Sequence, residues 1–184
     1  MRFRIFQSFL LVVALPSISN CATNPIAEGI PNFHQVDGNI YRGGQPTARG
    51  WISLGRLGVK TVIDLRREGE HPEHSVQAER QAVEAAGMRY VNVPLQGIVA
   101  PADENISKVL ALLQSSDAWP LFVHCRQGRD RTGAVIACYR IAHDGWRNQS
   151  ALEEAESYGM HWVEIGLKRY VLRFSPTLPA ASAQ

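Results

Sequence analysis

Between residues 40 and 143, short apolar runs alternate with longer stretches in which apolar side chains recur every three or four positions. That alternation constrains the fold more than any other feature. A short apolar run rich in β-branched residues suits a buried strand, whereas recurrence at helical spacing suits an amphipathic helix. Strands are expected at 40–41, 60–65, 89–93 and 121–124, and helices at 47–57, 73–86, 103–113 and 132–143. Gly58 and Gly87 stand where two of these helices must stop. Strands alternating with helices imply an α/β fold, here a single domain with a mostly parallel central sheet flanked by helices. Two further helical stretches, at about 150–158 and 161–173, make the C-terminal third mostly helical. A chain of 184 residues, 45% apolar and 20% charged, fits one globular domain, and no internal repeat or charge block divides it.

The ends read differently from this body. Arg2 and Arg4 precede the apolar run 9–15, Pro16 breaks it, and small polar residues follow, which is the pattern of a secretory signal. The run is too short for a spanning helix, which needs about 20 apolar residues. Residues 1–22 are therefore expected to be a signal peptide or lipoprotein signal, with export to the periplasm or to a membrane-anchored form. Ser17-Ile18-Ser19 suits an ordinary signal peptidase, while Ile18-Ser19-Asn20-Cys21 resembles a bacterial lipoprotein box with Asn where a small residue is usual, so both a soluble form and a lipid on Cys21 stay open. Residues 23–33 read as a linker, 34–174 as the domain and 175–184 as a flexible tail. The net charge of +2 carries no basic stripe of the kind that marks nucleic-acid binders. A monomer is expected.

Three cysteines cannot make a disulfide scaffold once Cys21 is removed or lipidated. Cys138 lies in the apolar stretch 134–138 and reads as a small buried hydrophobe. Cys125 is different, because it ends the strand-like run Leu121-Phe122-Val123-His124 and opens the polar loop Arg126-Gln127-Gly128-Arg129-Asp130 before Arg131-Thr132-Gly133 starts a helix. Open α/β sheets bind ligands at the carboxyl ends of their strands. A loop running into a helix N-terminus turns several backbone N–H groups into one concavity and so can hold a phosphate. The same field favours the thiolate of Cys125, the reactive form. Arg131 can grip two phosphate oxygens in a fork, a geometry that Lys lacks. Gly128 allows the loop to turn tightly toward the anion.

This segment resembles the active-site loop of the cysteine-dependent protein tyrosine and dual-specificity phosphatases: His124-Cys125, five residues, then Arg131-Thr132-Gly133. Tyr41-Arg42-Gly43-Gly44-Gln45-Pro46, the strand 60–66 and Tyr158-Gly159-Met160 are similar to bacterial and atypical dual-specificity members, so the resemblance spans nearly all of 34–173. It implies hydrolysis of phosphate monoesters through a phosphocysteine, with Cys125 as nucleophile, the amides of 126–131 (including Arg126, Gln127, Gly128, Arg129 and Asp130) as phosphate cradle, and Arg131 as clamp. It implies that Thr132 hydrogen-bonds the cysteine sulfur and that His124 orients the loop. The family places a proton-donating Asp in a separate loop; Asp103 in the segment 96–104 is the best match, with a first-turn helix acid as its other reading and Glu104 as fallback. No cofactor or metal is implied, and His71-Pro72-Glu73-His74 reads as a polar loop entering a helix. Asp64 and Arg66 at a strand end fit either a supporting role or a structural ion pair.

Arg126 and Arg129 add two cations beyond what one phosphate requires, and the lipid and inositol phosphatases of this superfamily often carry basic residues there. The expected substrate is a phosphorylated protein or an inositol phosphate or phosphoinositide. Two other readings are a rhodanese-type sulfurtransferase, which also sets a cysteine in an anion-binding loop, and an inactive phosphate-binding module. Arg131-Thr132 argues against the first and Cys125 against the second.

Overall fold

The computed structural model describes residues 27–70 and 75–176. Five strands form one sheet: β1 (His34–Gln35), β2 (Ile40–Gly43), β3 (Thr61–Asp64), β4 (Arg89–Asn92) and β5 (Leu121–His124). Their order is β1-β2-β5-β3-β4, with β1 antiparallel to β2 and every other pairing parallel. The register sets Gly43 and Asp64 on either side of His124, so the carboxyl ends of three strands meet where Cys125 begins.

Side chains alternate along the strands as a two-residue period demands. Tyr41, Val62 and Phe122 join a cluster with Trp51 and Leu54 of α1 (Ala48–Arg56) and Val83 of α2 (Val76–Ala85). Ile40, Ile63, Leu121 and Val123 face a second cluster built by α3 (Asp103–Leu113), α4 (Asp130–Ala142), α5 (Asn148–Ser157) and α6 (Ile165–Arg173). α4 is buried over residues 131–139 and at Ile141, wedged between the sheet and α5 and α6.

The α/β class, the parallel sheet and the helical C-terminal third follow the expected pattern. β1 was not anticipated, because two residues carry no periodic signal. α2 starts at Val76 rather than 73, where the Ser75 hydroxyl accepts from the Ala78 amide at 2.9 Å and so caps the helix. The helix expected at 161–173 begins only at Ile165, since the amide and ring of His161 are drawn to Asp130. Residues 27–33, expected to belong to a linker, pack onto the domain: Ala27 and Ile30 are buried, and the carbonyls of Gly29 and Pro31 accept from Thr47 and Gly44. The signal segment 1–22 and the motif 71–74 lie outside the described residues, as do residues 177–184 of the tail.

Candidate active site

Cys125 follows directly on β5 with only 3% of its surface exposed, and the loop 126–129 leads into the first turn of α4. Above it opens a cavity of about 300 Å³. Its lining comes from three places: Cys125, Arg126, Gln127, Asp130 and Arg131; Gly97 between β4 and α3; and His161, Val163 and Glu164 between α5 and α6.

The loop is locked from behind by the segment Tyr41 to Pro46. Gly128 has φ +71°, and a Cβ there would stand 2.2 Å from the carbonyl carbon of Gly43, so only glycine fits. The Gly128 carbonyl accepts from Arg42 Nη2 and from Asn32 Nδ2, both at 2.9 Å, and the Gln45 amide donates to the Arg126 carbonyl at 3.0 Å. Arg42 is buried, its guanidinium 4.6 Å from the Tyr158 ring centroid. Burial lowers its pKa to about 10, which still leaves a cation behind the Cys125 loop at neutral pH.

Below the loop lies a buried polar cluster. Arg66 grips Asp64 through Nε at 3.0 Å and Nη2 at 2.8 Å and also donates to Glu79, while the Tyr90 hydroxyl donates to Asp64 at 2.7 Å. His124 Nε2 stands 2.8 Å from Glu79 Oε1, and its Nδ1 lies 3.3 Å from the Cys125 carbonyl oxygen. Burial alone would depress the His124 pKa, but Glu79 and Asp64 outweigh it and raise the pKa, which favours the protonated ring. Ligand atoms of Asp64, Glu79 and His124 lie within 4.8 Å of one another, a spacing a metal could use. Arg66 and the His124 ring already balance the two carboxylates.

Arg131 sits in the first turn of α4, and its Nη1 reaches 3.4 Å from the carbonyls of both Leu65 and Leu95. Glu70 accepts from the same nitrogen at 2.7 and 2.9 Å. Burial would raise the pKa of Glu70, but the bonds from Arg131 and Arg67 outweigh it and hold the carboxyl ionised.

The residues singled out in the sequence divide into two groups. Cys125, Arg126, Gln127, Asp130 and Arg131 line one cavity, and His124 and Gly128 support it from behind. Arg129 does not line the cavity; its side chain runs beside Gly159. Thr132 Oγ1 is buried and has no hydrogen-bond partner among the described residues, so the expected bond to the cysteine sulfur is not made. Asp103 is not brought to the cavity either. It opens α3, accepts from the Tyr170 hydroxyl at 2.7 Å and lines a separate groove with Ser107, Tyr170 and Arg173. Glu104, the fallback, is exposed and paired with Lys108 at 2.6 Å. Sequence reasoning missed Glu70, His161 and Glu164. The last two fell inside a stretch read as continuous helix, where facing positions looked like helix surface.

The family described as DSP-PTPase phosphatase fused to NAD+ kinase matches residues 25–171. The chain is 32% identical over 129 residues to the dual specificity protein phosphatase TpbA of Pseudomonas aeruginosa, covering 70% of this chain and 55% of TpbA. It therefore spans little more than half of that relative's length. The inositol diphosphatase DSP4 of Arabidopsis thaliana is 27% identical over 151 residues, covering 78% of this chain and 71% of that protein. Among solved structures, P. aeruginosa TpbA in complex with pTyr superposes with a TM-score of 0.65 at 28% identity, covering 82% of this chain and 86% of that one. A strand, loop and helix that set a cysteine and an arginine on one cavity thus stand inside a match running from residue 25 to residue 171, and the chain belongs to the DSP-PTPase cysteine phosphatase family.

Proposed function

We propose that the chain hydrolyses phosphate monoesters through a phosphocysteine on Cys125. The observation that carries this reading is the shared cavity of Cys125 and Arg131 over a loop that ends at the N-terminus of a 13-residue helix. Amides and dipole there favour a phosphate, and the buried cation of Arg42 adds to that field. In the first step the Cys125 thiolate attacks phosphorus, the P–S bond forms, the P–O bond breaks, and the leaving oxygen takes a proton from an acid. In the second, water attacks phosphorus, the P–S bond breaks, and phosphate and the thiolate are released. Arg131, whose Nη1 is shared with Glu70, would hold two phosphate oxygens in its fork as charge builds up.

The substrate reading is a phosphorylated protein or a phosphorylated inositol. The exposed Arg126 on the cavity wall supports a polyanionic ligand, and the inositol diphosphatase among the relatives agrees with that leaning. TpbA with pTyr bound supports the phosphoprotein alternative.

One set of assays tests both levels. Cys125→Ser should abolish turnover of an aryl phosphate, and Arg131→Lys should cost about a hundredfold or more in kcat. Vanadate should inhibit competitively. On a multiply phosphorylated inositol, Arg126→Ala should raise KM well beyond its effect on the aryl phosphate, while Arg129→Ala should not. Full activity in the Cys125→Ser protein would overturn the mechanism. Equal losses from Arg126→Ala on both substrates would remove the polyanion leaning only.

A further inference from the structure

Proton transfer to the leaving oxygen needs a group on the cavity that is protonated when Cys125 is a thiolate, and the carboxyls around the site are not equivalent. Glu70 is held ionised by Arg131 and Arg67, which makes it a poor donor at neutral pH. Asp103 faces a different groove and is occupied by Tyr170. Glu104 is exposed, and its bond to Lys108 keeps it ionised. Asp130 lines the cavity, but its Oδ1 accepts from the His161 amide at 2.8 Å and both its oxygens lie 3.0 Å from His161 Nδ1.

Glu164 is left. It precedes α6, lines the same cavity as Cys125 and Arg131, and its Oε2 is buried with no hydrogen-bond partner among the described residues. A buried carboxyl oxygen without a donor has little to stabilise its charge. Its pKa is raised, by burial first and by the charge of Asp130 second, against the opposing pull of His161 and Arg131. A carboxyl that holds its proton more tightly than an exposed one, on the same cavity as the nucleophile, suits the acid in the usual division of labour.

Building on the phosphocysteine reading, we propose that Glu164 is the catalytic acid and base of this site, supplied by the α5–α6 connection rather than by the segment before α3. In the first step the Glu164 carboxyl gives its proton to the leaving oxygen as the P–O bond breaks and Cys125 Sγ bonds to phosphorus. In the second, the Glu164 carboxylate takes a proton from the attacking water as the P–S bond breaks, which restores the starting protonation. His161, tied to Asp130, positions this turn: the Glu164 amide donates to the His161 carbonyl at 3.2 Å.

The test is kcat/KM against pH for the full chain, measured on an alkyl phosphate and on a dinitrophenyl phosphate, because kcat/KM reports the first chemical step only. In the wild type the rate should fall at the alkaline side as Glu164 loses its proton. Glu164→Gln should lose that limb and about a hundredfold on the alkyl phosphate, the low end of what a general acid contributes. The loss on the dinitrophenyl ester, whose leaving group needs no proton, should be at least tenfold smaller. Asp103→Asn should keep the alkaline limb. Equal losses on both esters from Glu164→Gln, with an unchanged melting temperature, would make Glu164 structural and overturn the proposal, as would loss of the limb in Asp103→Asn. Cys125→Ser run alongside separates the failures. If it is inactive while Glu164→Gln behaves like wild type, only the acid assignment falls; if it is fully active, the phosphocysteine reading falls.

Discussion

The pair Arg131 and Glu70 shows how a single contact sets the resting state of the site. Both side chains are mostly buried, at 11% and 16% exposure, so the attraction is less screened than at an open surface. A phosphate entering the cavity meets a guanidinium whose Nη1 is already shared with the Glu70 carboxylate, so the two anions compete for one positive charge. Glu70→Gln keeps the shape and removes the competing charge, so the inhibition constant for vanadate should tighten by about threefold to tenfold, or about 1 kcal/mol. A constant unchanged within error would mean that the Glu70 charge does not oppose the bound anion. Residues of this kind explain what the sequence hid. Cys125, Arg126 and Arg131 belong to one contiguous loop whose chemistry can be read in order. Glu70 and Glu164 arrive from segments 61 residues before and 33 residues after Arg131, and no local pattern marks them. Asp103 had a local pattern, the acidic first turn of a helix, and that pattern proved to serve α3 and Tyr170.

Among the elements, β2, β3 and β5 matter most, because their register brings Gly43, Asp64 and His124 side by side. The loop is thereby built onto charged groups: Asp64 and Arg66 from the end of β3, Glu79 from α2, and His124 from β5. The linkage with pH follows from the directions of the shifts. His124 has a raised pKa in the fold, so its contribution is fully present below its ordinary value of 6.5 and is lost as pH rises through the higher folded value. Burial would raise the pKa of Asp64, but His124, Arg66 and Tyr90 lower it on balance. Its contribution is therefore present above 3.8 and lost as pH falls through the lower folded value. Urea unfolding across pH should accordingly show stability declining above pH 6.5, and His124→Asn should flatten that decline while costing roughly 2 kcal/mol near neutrality, since Glu79 Oε1 loses its partner while Arg66 still holds Oε2. Parallel slopes for the two proteins above pH 6.5 would contradict a charged His124. Strands and helices were legible where periodicity ran over several turns. Their ends were not: α2 begins after the Ser75 cap, a local bond to the Ala78 amide, and α6 starts late because Asp130 holds His161 across 31 residues of sequence.

At the scale of the whole molecule, two apolar clusters on opposite faces clamp the sheet, and α4 passes through the larger one with its N-terminus aimed back at the strand ends. The alternation of elements was enough to infer this architecture, since parallel strands with helices on both faces have few other ways to bury their apolar sides. The packing of residues 27–33 was not legible, because Gly29, Pro31 and Asn32 look like loop composition, yet Asn32 bonds to both Gly128 and Tyr158. The N-terminal approach is therefore part of the scaffold behind Cys125. Everything in the molecule that bears on chemistry converges on that sulfur, so the direct measurement is to mix wild-type protein with an activated aryl phosphate, quench in acid within milliseconds and examine the peptide containing Cys125 by mass spectrometry. A phosphoryl group on Cys125 that appears with the first burst of product and decays on the timescale of turnover is the predicted result. Rapid product release with no phosphoryl adduct on Cys125 at any time would contradict the account.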